Sequence, residues 1–144
     1  MQLISHRGNL QGRIPGRENS QSYIQEALDK GFDVEIDVWV VDRQFWLGHD
    51  EPTYKVDESF LANPRLWCHA KTVGALNMML DNKDIHCFWH QEDSYTLTSQ
   101  GYVWTFPNKP LCTKSICVLP ELGYDTYNTD ISGICSDYIL KYKY

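Results

Sequence analysis

The chain has 144 residues, enough for one domain with a core of its own, and 42% of them are hydrophobic, which argues against a disordered chain. Lys and Arg total 13 against 19 acidic residues, a formal net charge of −6. An electrostatic grip on nucleic acid is therefore not expected, and an anionic ligand would need a metal or a placed Arg or Lys. No apolar run reaches membrane-spanning length, and the opening MQLISHRGN does not read as a signal peptide. Five cysteines without regular spacing fit reduced thiols and a cytoplasmic protein.

In chain order, Gln2–Ser5 reads as a short strand that runs into His6-Arg7-Gly8. Glycines and a proline over residues 8–17 mark a loop above the strand's end. Asn19 or Ser20 then caps a helix over 20–30, with Tyr23, Ile24, Ala27 and Leu28 at helical spacing and Gly31 ending it. Next comes Asp33–Val41, DVEIDVWVV, a strand rich in β-branched residues. Period two places Val34, Ile36, Val38 and Val40 on one face and Glu35, Asp37 and Trp39 on the other. Two carboxylates about 7 Å apart on a buried face are costly unless something compensates them, and a bound cation is the usual solution.

Strand, helix, strand makes a βαβ unit with parallel strands, whose ligands gather at the C-terminal strand ends. His6 and Arg7, then Glu35 and Asp37, and finally His49 should converge there. Asp42-Arg43 is read as a turn leading to a return over Phe45–Leu47, followed by Gly48-His49-Asp50. Residues 51–64 are expected to be irregular, with a helical turn near 57–61. Arg65–Lys71 is a third strand with Trp67, His69 and Lys71 on one face, and Thr72 caps a second helix reaching Leu80. Further strands are expected at 85–89, 102–106, 116–119 and 133–137, too close together for crossover helices. Tyr102, Trp104 and Phe106 read as packed core, and Asp137 as structural. His86, Cys87 and His90 fall on mixed faces and do not make a convincing zinc site, although His90 is placed to reach a pocket.

HRG (6–8), ENS (18–20), EID (35–37) and GHD (48–50), in this order, resemble the motifs of the glycerophosphodiester phosphodiesterase family. HAK (69–71) stands where that family has Glu-x-Lys, and ICSDYI (134–139) resembles its closing strand. The resemblance covers the first third well and the rest loosely. It implies an α/β fold, here a compact, reduced TIM-like (β/α) barrel with few outer helices, as a single domain over 1–144. A full barrel needs about 250 residues, so a second copy of the chain is a candidate to cover exposed strand edges.

By the same resemblance His6 and His49 are the acid–base pair and Glu35 and Asp37 are metal ligands. Arg7 and Lys71 would contact a phosphate, and Glu18 would order the loop beside the site. His69 takes the place of the family's third carboxylate ligand. The family's Mg²⁺ or Ca²⁺ is then joined by Mn²⁺ or Zn²⁺ as a possible divalent ion, because imidazole is a softer donor. The expected activity is metal-dependent cleavage of a small, glycerophosphodiester-like phosphodiester. The alternative is a degenerate barrel that binds a phosphorylated ligand without turnover. Which histidine is acid and which is base stays open at this level, as does the choice between hydrolysis and release of a cyclic phosphate.

Overall fold

A computed structural model describes residues 1–123 and 130–143. Its first strand, β1 (Gln2–His6), leads through a loop to α1 (Gln21–Asp29) and then to the long β2 (Asp33–Val41). Ser20, not Asn19, caps α1, its side chain accepting the Tyr23 amide hydrogen. β3 (Gln44–Leu47) returns antiparallel on the outer half of β2. Asp42 and Arg43 both take positive φ, 51° and 62°, which gives the two-residue turn the twist that joins strands best.

Residues 51–64 are more ordered than the sequence suggested. β4 (Tyr54–Val56) pairs with β3, and α2 (Glu58–Leu61) is one helical turn. β5 (Leu66–Ala70) then lies parallel to β2, and α3 (Val73–Leu80) follows with Thr72 as its cap. Short strands complete the sheet: β6 (Cys87–Trp89), β7 (Tyr95–Leu97), β8 (Val103–Thr105), β9 (Ser115–Val118) and β10 (Gly133–Ser136). β7 was not foreseen; its period-two signal spans only three residues.

β6, β5, β2, β1, β10, β9 and β8 form a parallel series in that spatial order. The hairpin β3–β4 and the antiparallel edge strand β7 extend it to ten strands. This corrects the expected TIM-like (β/α) barrel. The sheet is mixed rather than wholly parallel, and the described residues carry only three short α-helices. Among the described residues no ladder joins β6 to β8, so it is not closed. The edge of β6 is instead satisfied piecemeal, with Cys87 O accepting from Ser99 N and Trp89 O accepting from the Thr96 hydroxyl.

The outer face of β2, β5 and β6 is packed by helices. Ile24, Ala27 and Leu28 of α1, with Ala75 and Met79 of α3, cover Val34, Ile36, Val38, Leu66, Cys68 and Ala70. Among the described residues of the later half no α-helix does this work. Ile139, in the 3₁₀ turn Ile139–Tyr142, packs with Phe32, Cys117, Ile131 and Ile134 instead. A 3₁₀ turn cannot span a strand's length, so this turn does not complete a full βα unit. The opposite, concave face holds Ile4, Trp67, Phe88, Trp104, Ile116, Val118 and Cys135. The expected alternation of faces in β2 and β5 thus holds. No helix is long and apolar enough to cross a membrane among the described residues.

Candidate functional site

The C-terminal ends of the parallel strands open on a cavity of about 470 Å³. His6 ends β1, Glu35 and Asp37 lie within β2, His69 within β5, and Lys71 directly after it. His6, Arg7, Glu35, His49, His69 and Lys71 line this one cavity. Residues 65 positions apart are brought together because β2 pairs with both β1 and β5, in a register that sets Asp37 beside His69 and Glu35 beside His6.

Glu35 and Asp37 are buried, and with His69 they place one ligand atom each within 4.8 Å of one another. His69 Nδ1 is 3.2 Å from Asp37 Oδ1 and 3.6 Å from Glu35 Oε1. Its other nitrogen, Nε2, donates to the His90 carbonyl at 2.8 Å, and the ring stacks on Phe88. That bond fixes Nε2 as the N–H in the neutral ring and directs the Nδ1 lone pair at the two carboxylates, the arrangement usual for metal-ligating histidines. Glu35 Oε2 and Asp37 Oδ1 are buried without a hydrogen-bond partner. Carboxylate oxygens that accept no hydrogen bond, beside an oriented imidazole, are a donor set that fits a divalent cation, with His6, His69 and Lys71 within ion-pair distance of them.

Without a cation the charge is met by the chain itself. Burial lowers the His69 pKa, but the Asp37 and Glu35 carboxylates outweigh it and raise the value to about 9. For Asp37, burial favours the neutral acid, yet His69, Arg7 and Lys71 hold it well below the ordinary carboxylate range. Arg7 Nε lies 3.1 Å from Asp37 Oδ2, and Lys71 Nζ 3.8 Å from Asp37 Oδ1. Asn19 grips the same residue twice, accepting its amide hydrogen and donating Nδ2–H to Oδ2, each at 2.9 Å. This use of Asn19 explains why it leaves the helix cap to Ser20, and it holds φ at 66° to do so.

His6 is oriented from behind. Its Nδ1 donates to Asp137 Oδ1 at 2.7 Å, which leaves Nε2 on the cavity side, 3.7 Å from Glu35 Oε2. Burial lowers the His6 pKa, and the Asp137 hydrogen bond and the Glu35 charge more than reverse this, so the net shift is upward. Asn9 Nδ2 also donates to Asp137 Oδ1 and to Glu18 Oε1. Asp137 is therefore part of the site, which its reading as a structural strand-end acid missed; a carboxylate at a strand terminus carries no local signal of a partner 131 positions away. Asn9 was missed for the same reason.

Glu18 sits behind Arg7, accepting from Arg7 Nη1 (3.2 Å), Asn9 Nδ2 (3.1 Å) and Arg13 Nε (3.1 Å). It orders the loop and the Arg7 guanidinium, and lines a second, smaller cavity on the far side of His49. Arg7 itself adopts φ of 57°, uncommon for a residue with a side chain, and its amide donates to Glu35 O. His49 is 41% exposed and pairs through Nδ1 with Asp50 Oδ1 at 2.8 Å, so it reaches the cavity from its rim. Gly48 precedes it with φ of 155°, where an added Cβ would meet Glu51 O at 2.0 Å, so only glycine fits there.

His90, whose Nδ1 lies 3.3 Å from Asp93 Oδ1, lines the cavity as its position suggested. His86 does not: it is buried against Trp67 and bonded to the Thr98 hydroxyl, and burial lowers its pKa to about 4. Phe106, expected in the core, stands at the cavity rim instead. No protein-family model, curated protein or solved structure matches the chain.

Proposed function

We propose that the protein is a metal-dependent phosphodiesterase that cleaves a small phosphodiester by histidine acid–base catalysis. The observation that carries this reading is the meeting of His6, His49, Arg7 and Lys71 in one cavity lined also by Glu35 and His69, which form a donor set with Asp37 buried behind them. The ordered motifs HRG, ENS, EID and GHD support it, since their residues supply the chemistry that the resemblance implies.

Glu35, Asp37 and His69 would hold a divalent ion, which when bound neutralises charge on the phosphoryl oxygens as a Lewis acid. Arg7 and Lys71 favour the anionic ester and the further charge that develops in the transition state. His6 is suited to be the general acid. Asp137 and Glu35 hold a proton on its ring, and its Nε2 faces the cavity. His49, at the solvent rim, is suited to take the proton of an attacking water or substrate hydroxyl. Asp137 and Asn9 keep His6 in register; Glu18 does the same for Arg7.

One observation favours the alternative, a site that binds a phosphorylated ligand without turnover. Asp37 is already compensated by Arg7, Asn19, Lys71 and His69, so the carboxylate pair is not unpaired without a metal. Incubating the purified protein with a panel of phosphodiesters and Mg²⁺, Ca²⁺, Mn²⁺ or Zn²⁺, and reading products by phosphorus NMR, separates the two. Metal-dependent cleavage that is lost in His6→Ala supports the enzyme, whereas binding without any product supports the binder. The free thiols of all five cysteines support a reducing, cytoplasmic setting. Among the described residues the outer edges of β4 and β7 pair with no further strand, which leaves self-association as a way to cover them.

A further inference from the structure

The cavity has two chemically distinct walls. The charged groups of β1, β2 and β5 make one. Trp89, Trp104, Phe106, Pro107, Leu119 and Leu122, from the ends of β6, β8 and β9 and the segments after them, make the other, with His90 and Gln91 adding polar side chains next to Trp89. The deep part of this wall is ordinary core, with Trp104 packed on Phe88 at 4.5 Å between ring centroids. The rim is not. Phe106 is 45% exposed and Leu122 59% exposed, and Leu119 holds φ at 48°. A bulky side chain in the left-handed region is a genuine outlier, and such strain clusters where a ligand is clamped. A glycerol arm would find only the indole N–H groups of Trp89 and Trp104 as donors in the side chains of these six residues, and no acceptor, so its hydroxyl hydrogens placed there would lose water without replacement.

We infer that the substrate's ester arm beside this wall is a planar aromatic group, so that the cavity takes an arylmethyl-type phosphodiester rather than a glycerol-type one. Ring faces prefer offset or edge-to-face partners, which Trp89 and the exposed Phe106 offer above the buried Trp104. A flat arm also suits the space, since about 470 Å³ is shared with the phosphate and lies near the lower end of small-molecule pockets. The inference rests on the phosphodiester reading for the charged wall, and its test keeps the two apart.

The probes are methyl phosphodiesters whose second arm is glyceryl, hexyl or 2-naphthylmethyl, with matching non-cleavable phosphonates. All three arms leave as alkoxides, so none gains from an easier leaving group. Affinity of the phosphonates is measured by calorimetry with and without Mn²⁺, and cleavage of the esters by phosphorus NMR. The naphthylmethyl phosphonate should bind about tenfold or more tighter than the glyceryl one, and clearly tighter than the hexyl one. That preference should shrink at least threefold in Phe106→Ala and in Leu122→Ala, whose exposed side chains leave the fold intact by circular dichroism. Equal affinity for all arms, a preference for hexyl, a preference untouched by both substitutions, or no binding of any probe overturns the inference. Arm-independent cleavage would refute the aromatic subsite and leave the phosphodiesterase standing. Selective binding of the naphthylmethyl phosphonate without cleavage of any ester would do the reverse.

Discussion

If His69 Nδ1 ligates a cation, a proton and the metal compete for one lone pair. With the His69 pKa raised to about 9 in the metal-free protein, the imidazole is about 99% protonated at pH 7. Binding must therefore expel close to one proton, and at pH 7 it should be about 100-fold weaker than well above pH 9, a cost of about 3 kcal/mol. Apparent affinity should rise about tenfold per pH unit up to that point and then level. Titrating Mn²⁺ into chelator-treated protein at pH 7, in two buffers of different ionisation enthalpy, counts the protons released. The same pKa fixes the sign of the pH dependence of stability without metal. A folded-state value above the ordinary 6.5 stabilises the fold fully below pH 6.5, and that contribution is lost as pH rises through 9. His69→Gln should abolish both the proton release and this loss in urea unfolding. Metal binding with no proton released at pH 7, or an unchanged stability profile in His69→Gln, would refute the reasoning.

Exchange of His69 for Glu adds a carboxylate to the donor set, so metal preference measured after chelation should move from Mn²⁺ or Zn²⁺ towards Mg²⁺ or Ca²⁺. His6→Ala and His49→Ala should each lower turnover by two or more orders of magnitude. The exposed His49 can go with the urea midpoint nearly unchanged, whereas loss of His6 strips buried Asp137 of its imidazole partner and should lower it. Asp137→Asn keeps the shape of its side chain but removes the charge that helps raise the His6 pKa. The limb of the pH–rate profile that reports His6 should then shift to lower pH, with kcat reduced about tenfold or more. Ile36→Ala, in the outer core under α1 and α3, should cost about 2–5 kcal/mol in urea unfolding without altering metal affinity.

What could be read before the structure follows from how local each signal is. The alternation of DVEIDVWVV places Glu35 and Asp37 opposite Val34, Ile36 and Val38 by the pleat alone, and the structure keeps that division. The register of Trp67, His69 and Lys71 is legible for the same reason, so three elements of the site could be aligned on paper. The architecture could not. An early βαβ pattern and the family motifs suggested a barrel, but whether a parallel series closes depends on pairing between its last strands, here β6 and β8. That pairing is set by loops whose residues show no periodicity. Asp137, Asn9 and the rim position of Phe106 were illegible too, because each owes its role to a partner distant in sequence or to where a turn happens to face.

The bond between His6 and Asp137 ties the first strand to the last, residues 131 positions apart. During synthesis His6 emerges early and then waits through nearly the whole chain for its carboxylate. β1 likewise lacks its β10 neighbour on one edge until then. Contacts of such span demand a large loop closure before any reward, which places them late in folding. The consequence is a built-in completeness check. In a chain ending before β10, His6 would lack the carboxylate that orients it, whereas the Glu35–Asp37–His69 group draws only on β2 and β5. The acid–base chemistry proposed for His6 therefore requires β10 and Asp137 to be in place.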